Sequence, residues 1–146
     1  MLIGKYKYAV DQKHRAVIPH KFRGDLGTRC VLSIDILCKC LNLYSLNQWA
    51  IFSAEIEKLP TIKMRNVRQF IYSNSAEVEI DSQGRIILNQ DLCKDVGLLD
   101  ANEVVIVGLN THAQIWSVPE REKFDSELNA DDSRESIIND LLEIGF

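Results

Sequence analysis

Two short runs place an acid and an arginine at the same spacing: Asp11-Gln12-Lys13-His14-Arg15 and Asp81-Ser82-Gln83-Gly84-Arg85. An aspartate heading a tight turn accepts hydrogen bonds from turn N–H groups, and a glycine in fourth place supplies the positive φ that such a turn demands. Arginine then leaves the turn at a fixed angle. Its planar guanidinium matches phosphate oxygens and the O6/N7 edge of guanine, so the chemistry on offer is nucleic-acid recognition. In a single copy, the acid and the arginine would be expected only to pair with each other across the turn. Two copies in one chain favour recognition.

The remaining reactive side chains form no constellation. His14, His20 and His112 have no motif partners for triad or metal chemistry, and His112 falls in the turn Asn110-Thr111-His112, where a solvent-exposed residue is expected. Cys30, Cys38, Cys40 and Cys93 include no C-x-x-C pair and read as reduced, mostly buried thiols. The chain contains no Gly-rich phosphate loop, no H-E-x-x-H and no G-x-S-x-G. We therefore expect no enzyme, no catalytic residues, no metal and no cofactor.

At 146 residues and 46% hydrophobic, the chain suits one domain with a real core. It lacks the run of roughly 18 uncharged apolar residues needed to span a bilayer. Lys5 and Lys7 break the opening stretch MLIGKYKYAV, so no secretory leader is expected and a cytoplasmic location follows. The net charge of −4 is unevenly spread: residues 1–73 carry 12 basic and 5 acidic side chains, residues 74–146 carry 5 and 16. Such asymmetry suits a polyanion partner or self-association. Lys5, Lys7, Lys13, Arg15, Lys21, Arg23 and Arg29 surround the first turn, whereas Glu77, Glu79 and Asp81 precede Arg85. Phosphate attraction is expected to centre on the first turn.

The elements that must position these turns repeat. A shift of 70 lays Asp11 on Asp81, Arg15 on Arg85, Val17 on Ile87, Phe22 on Leu92 and Gly27 on Gly97; a shift of 72 then lays Ile34 on Ile106, Tyr44 on Trp116 and Phe52 on Phe124. Each half predicts an alternating strand, the turn, a second strand, a short helix closed by glycine, two further strands and a longer helix. The short helices are placed at about 19–26 and 90–96, with Asn89 as N-cap. The later strands are placed at about 30–36, 40–44, 103–109 and 114–118, and the longer helices at about 46–59 and 120–128. Trp49, Phe52, Ile56 and Leu59 share a face of the first long helix. A linking helix over about 62–72 should turn Val67, Phe70 and Ile71 inward and Lys63, Arg65 and Arg68 outward. An acidic amphipathic tail over about 130–146 carries Ile137, Ile138, Leu141, Leu142 and Ile144 at helical spacing. The expected layout is one domain of two interlocking repeats, about 5–59 and 75–128, contributing four strands each to one closed or nearly closed β-barrel capped by helices.

On the blocks D-Q-K-H-R-A-V-I-P at 11–19, V-L-S-I-D at 31–35, L-Y-S-L-N-Q-W at 43–49 and D-S-Q-G-R-I-I-L at 81–88, with Gly4 ahead of the first strand, the chain resembles the MraZ family over nearly its whole length. The resemblance implies a mainly β, pseudo-two-fold AbrB/MazE-like double-split barrel in a ring-shaped homo-oligomer. It also implies binding to double-stranded DNA, namely short G-rich direct repeats upstream of the bacterial cell-division and cell-wall genes, with repression as the outcome. It carries the DNA-contacting role to Arg15 and Arg85 and a basic contact to Lys13, with Asp11, Asp81 and Gly84 setting the turns. Lys5 and Lys7 are included as supporting cations. His14 stands where the family commonly has glycine; it would need a positive φ and, when protonated, would add a phosphate contact. The acidic second half should face away from DNA or meet a basic neighbour. The competing reading is an antitoxin or protein-binding module acting through the tail. Neither reading involves a membrane or a small-molecule substrate.

Overall fold

A computed structural model describes the chain from Met1 to Phe146. Eight strands and six helices occur in the order β1 (Ile3–Ala9), β2 (Arg15–Val17), α1 (His20–Leu26), β3 (Arg29–Ile34), β4 (Leu41–Ser45), α2 (Leu46–Glu57), α3 (Thr61–Ser73), β5 (Ser75–Glu79), β6 (Arg85–Ile87), α4 (Gln90–Cys93), β7 (Glu103–Leu109), β8 (Ala113–Ser117), α5 (Val118–Leu128) and α6 (Asp131–Glu143). Side chains cap three of the six helix starts, Asn89 as the sequence predicts. Ser45 accepts from the Gln48 N–H, Asn89 from those of Asp91 and Leu92, and Ser117 from that of Glu120. A 3-10 turn over Lys94–Val96 completes the short second-half helix, and Gly97 closes it in the left-handed conformation with φ 75°.

The strands do not close into one barrel. Six of them form an antiparallel sheet in the order β1-β7-β8-β4-β3-β5, and β2 and β6 pair as a separate two-stranded ribbon. The barrel expectation is corrected on this point: β1 and β5 remain edges, because each hydrogen-bonds only one strand of the sheet. Pairing runs between the halves, β1 on β7 and β5 on β3, so each half's first strand completes the other half's sheet. At the centre, Asn42 of β4 lies opposite Gln114 of β8, and in the ribbon Ala16 lies opposite Ile86. Those pairs are 72 and 70 residues apart, the two offsets of the sequence repeat. A pseudo-two-fold axis therefore passes through both pairs.

One face of the sheet carries the main core. Leu32, Leu43, Ile106 and Ile115 pack there against Ala16 and Ile86 from the ribbon and Phe22, Leu26 and Leu92 from the short helices. Tyr6 meets Phe22 edge-on, with centroids 5.5 Å apart. The opposite face is covered by α5, where Trp116, Val105 and Val107 meet Phe124, and by α2 and α3, whose Ile56, Met64 and Ile71 form a small core with Trp49, Phe52, Val67 and Tyr72. Buried Asn42, Gln114 and Ser117 avoid unpaired polar atoms: Gln114 Nε2 donates to Asn42 Oδ1, and Trp116 Nε1 donates to Gln114 Oε1.

Two exposure expectations change. Phe70, expected to face inward, is 46% exposed, while Met64 and Tyr72 join Val67 and Ile71 in the small core. His112 is half-buried instead of solvent-exposed. Its ring stacks on Tyr44 at 4.9 Å, and that burial lowers its pKa. All four cysteines are free; burial pushes the thiols of Cys30 and Cys93 up to about 11.

Candidate nucleic-acid interface

The two acid-arginine turns are built alike. Asp11 Oδ1 accepts the backbone N–H groups of Lys13 and Arg15, both at 2.9 Å, and Oδ2 accepts Arg15 Nε at 2.7 Å. Asp81 repeats the pattern with Gln83 N and Arg85 N at 2.9 Å and Arg85 Nε at 3.0 Å. Backbone bonds from Asp11 N to Arg15 O and from Asp81 N to Arg85 O close the loops. The backbone N–H of each arginine, opposed by partial burial and helped by its guanidinium, holds each aspartate below the usual carboxylate range. Pairing across the turn and recognition are thus compatible. The acid uses Nε and fixes the guanidinium plane, leaving the terminal nitrogens of Arg15 and Arg85 with no protein acceptor.

His14 and Gly84 both take the left-handed conformation, φ 58° and 78°. Their surroundings differ. Gly84 is buried beneath Arg23 of α1: a Cβ there would fall on the Arg23 guanidinium, whose Nε donates to Ile18 O at 3.1 Å. His14 is exposed, and the residue matching Arg23 under the 70-residue shift is the short, buried Cys93. A side chain stands in open solvent in one turn, whereas in the other it would have to displace the Arg23 guanidinium.

Strand pairing brings the turns together. Arg15 lies opposite Ile87, and Arg85 opposite Val17, at the two ends of the β2–β6 ribbon. Alternation sends Ala16 and Ile86 into the core and leaves Arg15, Val17, Arg85 and Ile87 on one outer face, where Ile87 is 63% exposed. The two arginines are offset by two residues, about 7 Å along the ribbon. Each turn also grips the other half: Ile18 N donates to Gly84 O and Leu88 N to His14 O, both at 2.8 Å.

Lys13 and His14 extend from the first turn as exposed side chains. Lys5 and Lys7 are not brought there. They alternate with Tyr6 and Tyr8, which face the core, and so stand on the α5 side of the sheet. Lys5 Nζ bonds Asp125 at 2.9 Å, and Arg121 Nε reaches the same carboxylate at 2.9 Å; against the effect of burial, these cations hold the Asp125 pKa down. Arg23 is the residue sequence reasoning misplaced. Its number groups it with the first turn, yet α1 lays it on the second. The signal was the pairing of glycine at 84 with a long cation at 23, against histidine at 14 with cysteine at 93.

A family model described as "MraZ protein, putative antitoxin-like" matches residues 1–68 and again 71–142, one match per repeat. The chain belongs to the MraZ family. A protein of Alkaliphilus oremlandii (strain OhILAs) named transcriptional regulator MraZ is 39% identical over the full length of both chains. Proteins of the same name from Caldicellulosiruptor saccharolyticus and Caldicellulosiruptor bescii are 38% and 40% identical, the first over the full length of both chains and the second over 80% of this chain and 81% of its own. MraZ is a family of transcriptional regulators, not of enzymes. No helix here is long and apolar enough to cross a membrane.

Proposed function

We propose that this chain is a sequence-specific DNA-binding transcriptional regulator, acting as a repressor, that reads short G-rich direct repeats upstream of the bacterial cell-division and cell-wall genes. Arg15 and Arg85 make the base contacts, Lys13 and His14 add phosphate contacts, and Asp11, Asp81 and Gly84 hold the turns. The observation that carries the reading is the outer face of the β2–β6 ribbon, where two guanidinium groups are pinned through Nε and present their free ends on one side. A two-stranded ribbon is narrow enough for a major groove, and a bidentate arginine discriminates guanine by about 1–3 kcal/mol. Lys5 and Lys7 lie outside this contact set because Asp125 and α5 engage their side of the sheet.

One ribbon makes few contacts, so useful affinity requires several copies. In our reading these form a ring-shaped homo-oligomer at the nucleoid, each subunit offering its turns to successive direct repeats. Matched spacing raises avidity about 100- to 10,000-fold over a single site. Head-to-tail assembly orients neighbouring ribbons alike, which suits direct repeats better than a palindrome. The whole chain acts as one two-repeat unit. A salt-series titration of G-rich repeat duplex against scrambled duplex, with sedimentation of the free protein, tests this. Repeat-selective binding by a large oligomer is expected, and equal binding of both duplexes by a monomer contradicts it.

A second reading has its own observation. Helix α6 packs against α5, and it exposes Ile138 at 56% and Leu142 at 62%, with Phe146 beyond its end 85% exposed, a surface suited to a protein partner in the antitoxin manner. A small toxin co-purifying in stoichiometric amount, and lost on removal of residues 130–146, would establish that reading.

A further inference from the structure

We infer that Arg23 is a phosphate-contacting residue of the second turn, supplying from the first repeat the cation that the second repeat lacks. This rests on the proposed reading of the turns as a DNA interface.

Charge differs between the two ends of the ribbon. In the first turn Asp11 is offset by Lys13 and Arg15, leaving one positive charge before His14 is considered. In the second turn Asp81 and Arg85 cancel, position 83 is a neutral glutamine, and Glu79 stands just before the turn. That end of the ribbon would meet a polyanion with no net attraction of its own. Arg23 changes this balance: its guanidinium lies on Gly84, next to Arg85, and restores the single positive charge found at the first turn.

Its placement is built. Nε donates to Ile18 O at 3.1 Å, which fixes the guanidinium plane, and neither terminal nitrogen has a protein acceptor. No carboxylate pairs with it, whereas Lys5 and Arg29 are both held by acids, Asp125 and Glu77. The same geometry recurs at Arg15 and Arg85: one nitrogen anchored by the protein, the far edge left free. Gly84 permits it. A side chain there would displace Arg23, and at the matching first-turn position His14 coexists with Cys93, where no cation needs the space.

The test uses the full-length chain and its Arg23→Gln, Arg23→Lys and Arg15→Ala variants, titrated with repeat and scrambled duplex between about 50 and 200 mM salt, with melting followed in parallel. Removing one phosphate-bound cation flattens the dependence of log affinity on log salt by about 0.9, so affinity should fall about three- to four-fold less over that range for every engaged subunit. Arg23→Gln should show this flattening, weaken both duplexes by the same factor and melt with the wild type; Arg23→Lys should keep the wild-type slope. An unchanged slope in Arg23→Gln, a loss confined to repeat DNA, or weakening explained by a lowered melting temperature overturns the assignment while leaving the function standing, provided Arg15→Ala still loses repeat selectivity. If Arg15→Ala keeps that selectivity, the reading beneath it fails as well.

Discussion

At Asp11 and Asp81 a single carboxylate does two jobs, nucleating the turn through Oδ1 and orienting the arginine through Oδ2. Asparagine keeps the first job and loses the charge needed for the second. Asp11→Asn should therefore retain the native circular dichroism spectrum but bind repeat DNA about ten-fold more weakly, measured by fluorescence anisotropy. The pKa of each aspartate is lowered in the folded state, so its stabilisation is complete above the unfolded value near 3.8 and disappears as pH falls through the lower folded values. Urea denaturation should show the Asp11→Asn, Asp81→Asn double variant less stable than the wild type at about pH 6, with the gap closing below pH 3.8. Gly84 tests a different constraint. Alanine there combines a left-handed backbone with displacement of Arg23, and should cost about 1–2 kcal/mol or more in chemical denaturation. A Gly84→Ala variant as stable as the wild type would mean that neither constraint operates.

Among the elements, helix α5 depends on its start. Ser117 Oγ caps it, and the helix then holds Phe124 and Arg121 against Trp116, with the Arg121 guanidinium 5.1 Å from the indole centroid. Ser117→Ala should cost about 1 kcal/mol and lower the melting temperature by about 2–4 °C. Most elements were legible because their signals are local: Asn89 and Ser45 mark helix starts, Gly97 marks an end, and the continuous apolar run at 104–107 marks β7. What was not legible depends on distant partners. Nothing within β2 or β6 says that these three-residue strands pair with each other and leave the other six as an open sheet. The same limit applied to Phe70 and His112, whose exposure is decided by α2 and by Tyr44, and to Arg23, whose neighbour is 61 positions away. The turn residues were legible by type and spacing; the exclusion of Lys5 and Lys7 from them required the α5 contacts.

For the molecule as a whole, the repeat offsets reappear as the pairs on the pseudo-two-fold axis, and strand exchange leaves neither half with a complete sheet of its own. Residues 1–73 or 74–146 expressed alone should give no folded monomer, and mixing them should restore a cooperative melt; a monomeric fragment that melts cooperatively would contradict this. The charge asymmetry also takes on geometric sense. Basic side chains of the first half lie at both ends of the ribbon, while the acids of α5 and α6 gather on elements packed away from it. The proposed operator selectivity would depend on arginine meeting guanine edges, and a chemical double-mutant cycle tests that directly: wild type and Arg15→Ala are each titrated with repeat DNA containing guanine or 7-deazaguanine, which lacks the N7 acceptor. The wild type should lose about ten-fold in affinity on the base change and Arg15→Ala almost nothing further. Equal losses in both proteins, or none in the wild type, would contradict guanine readout by Arg15.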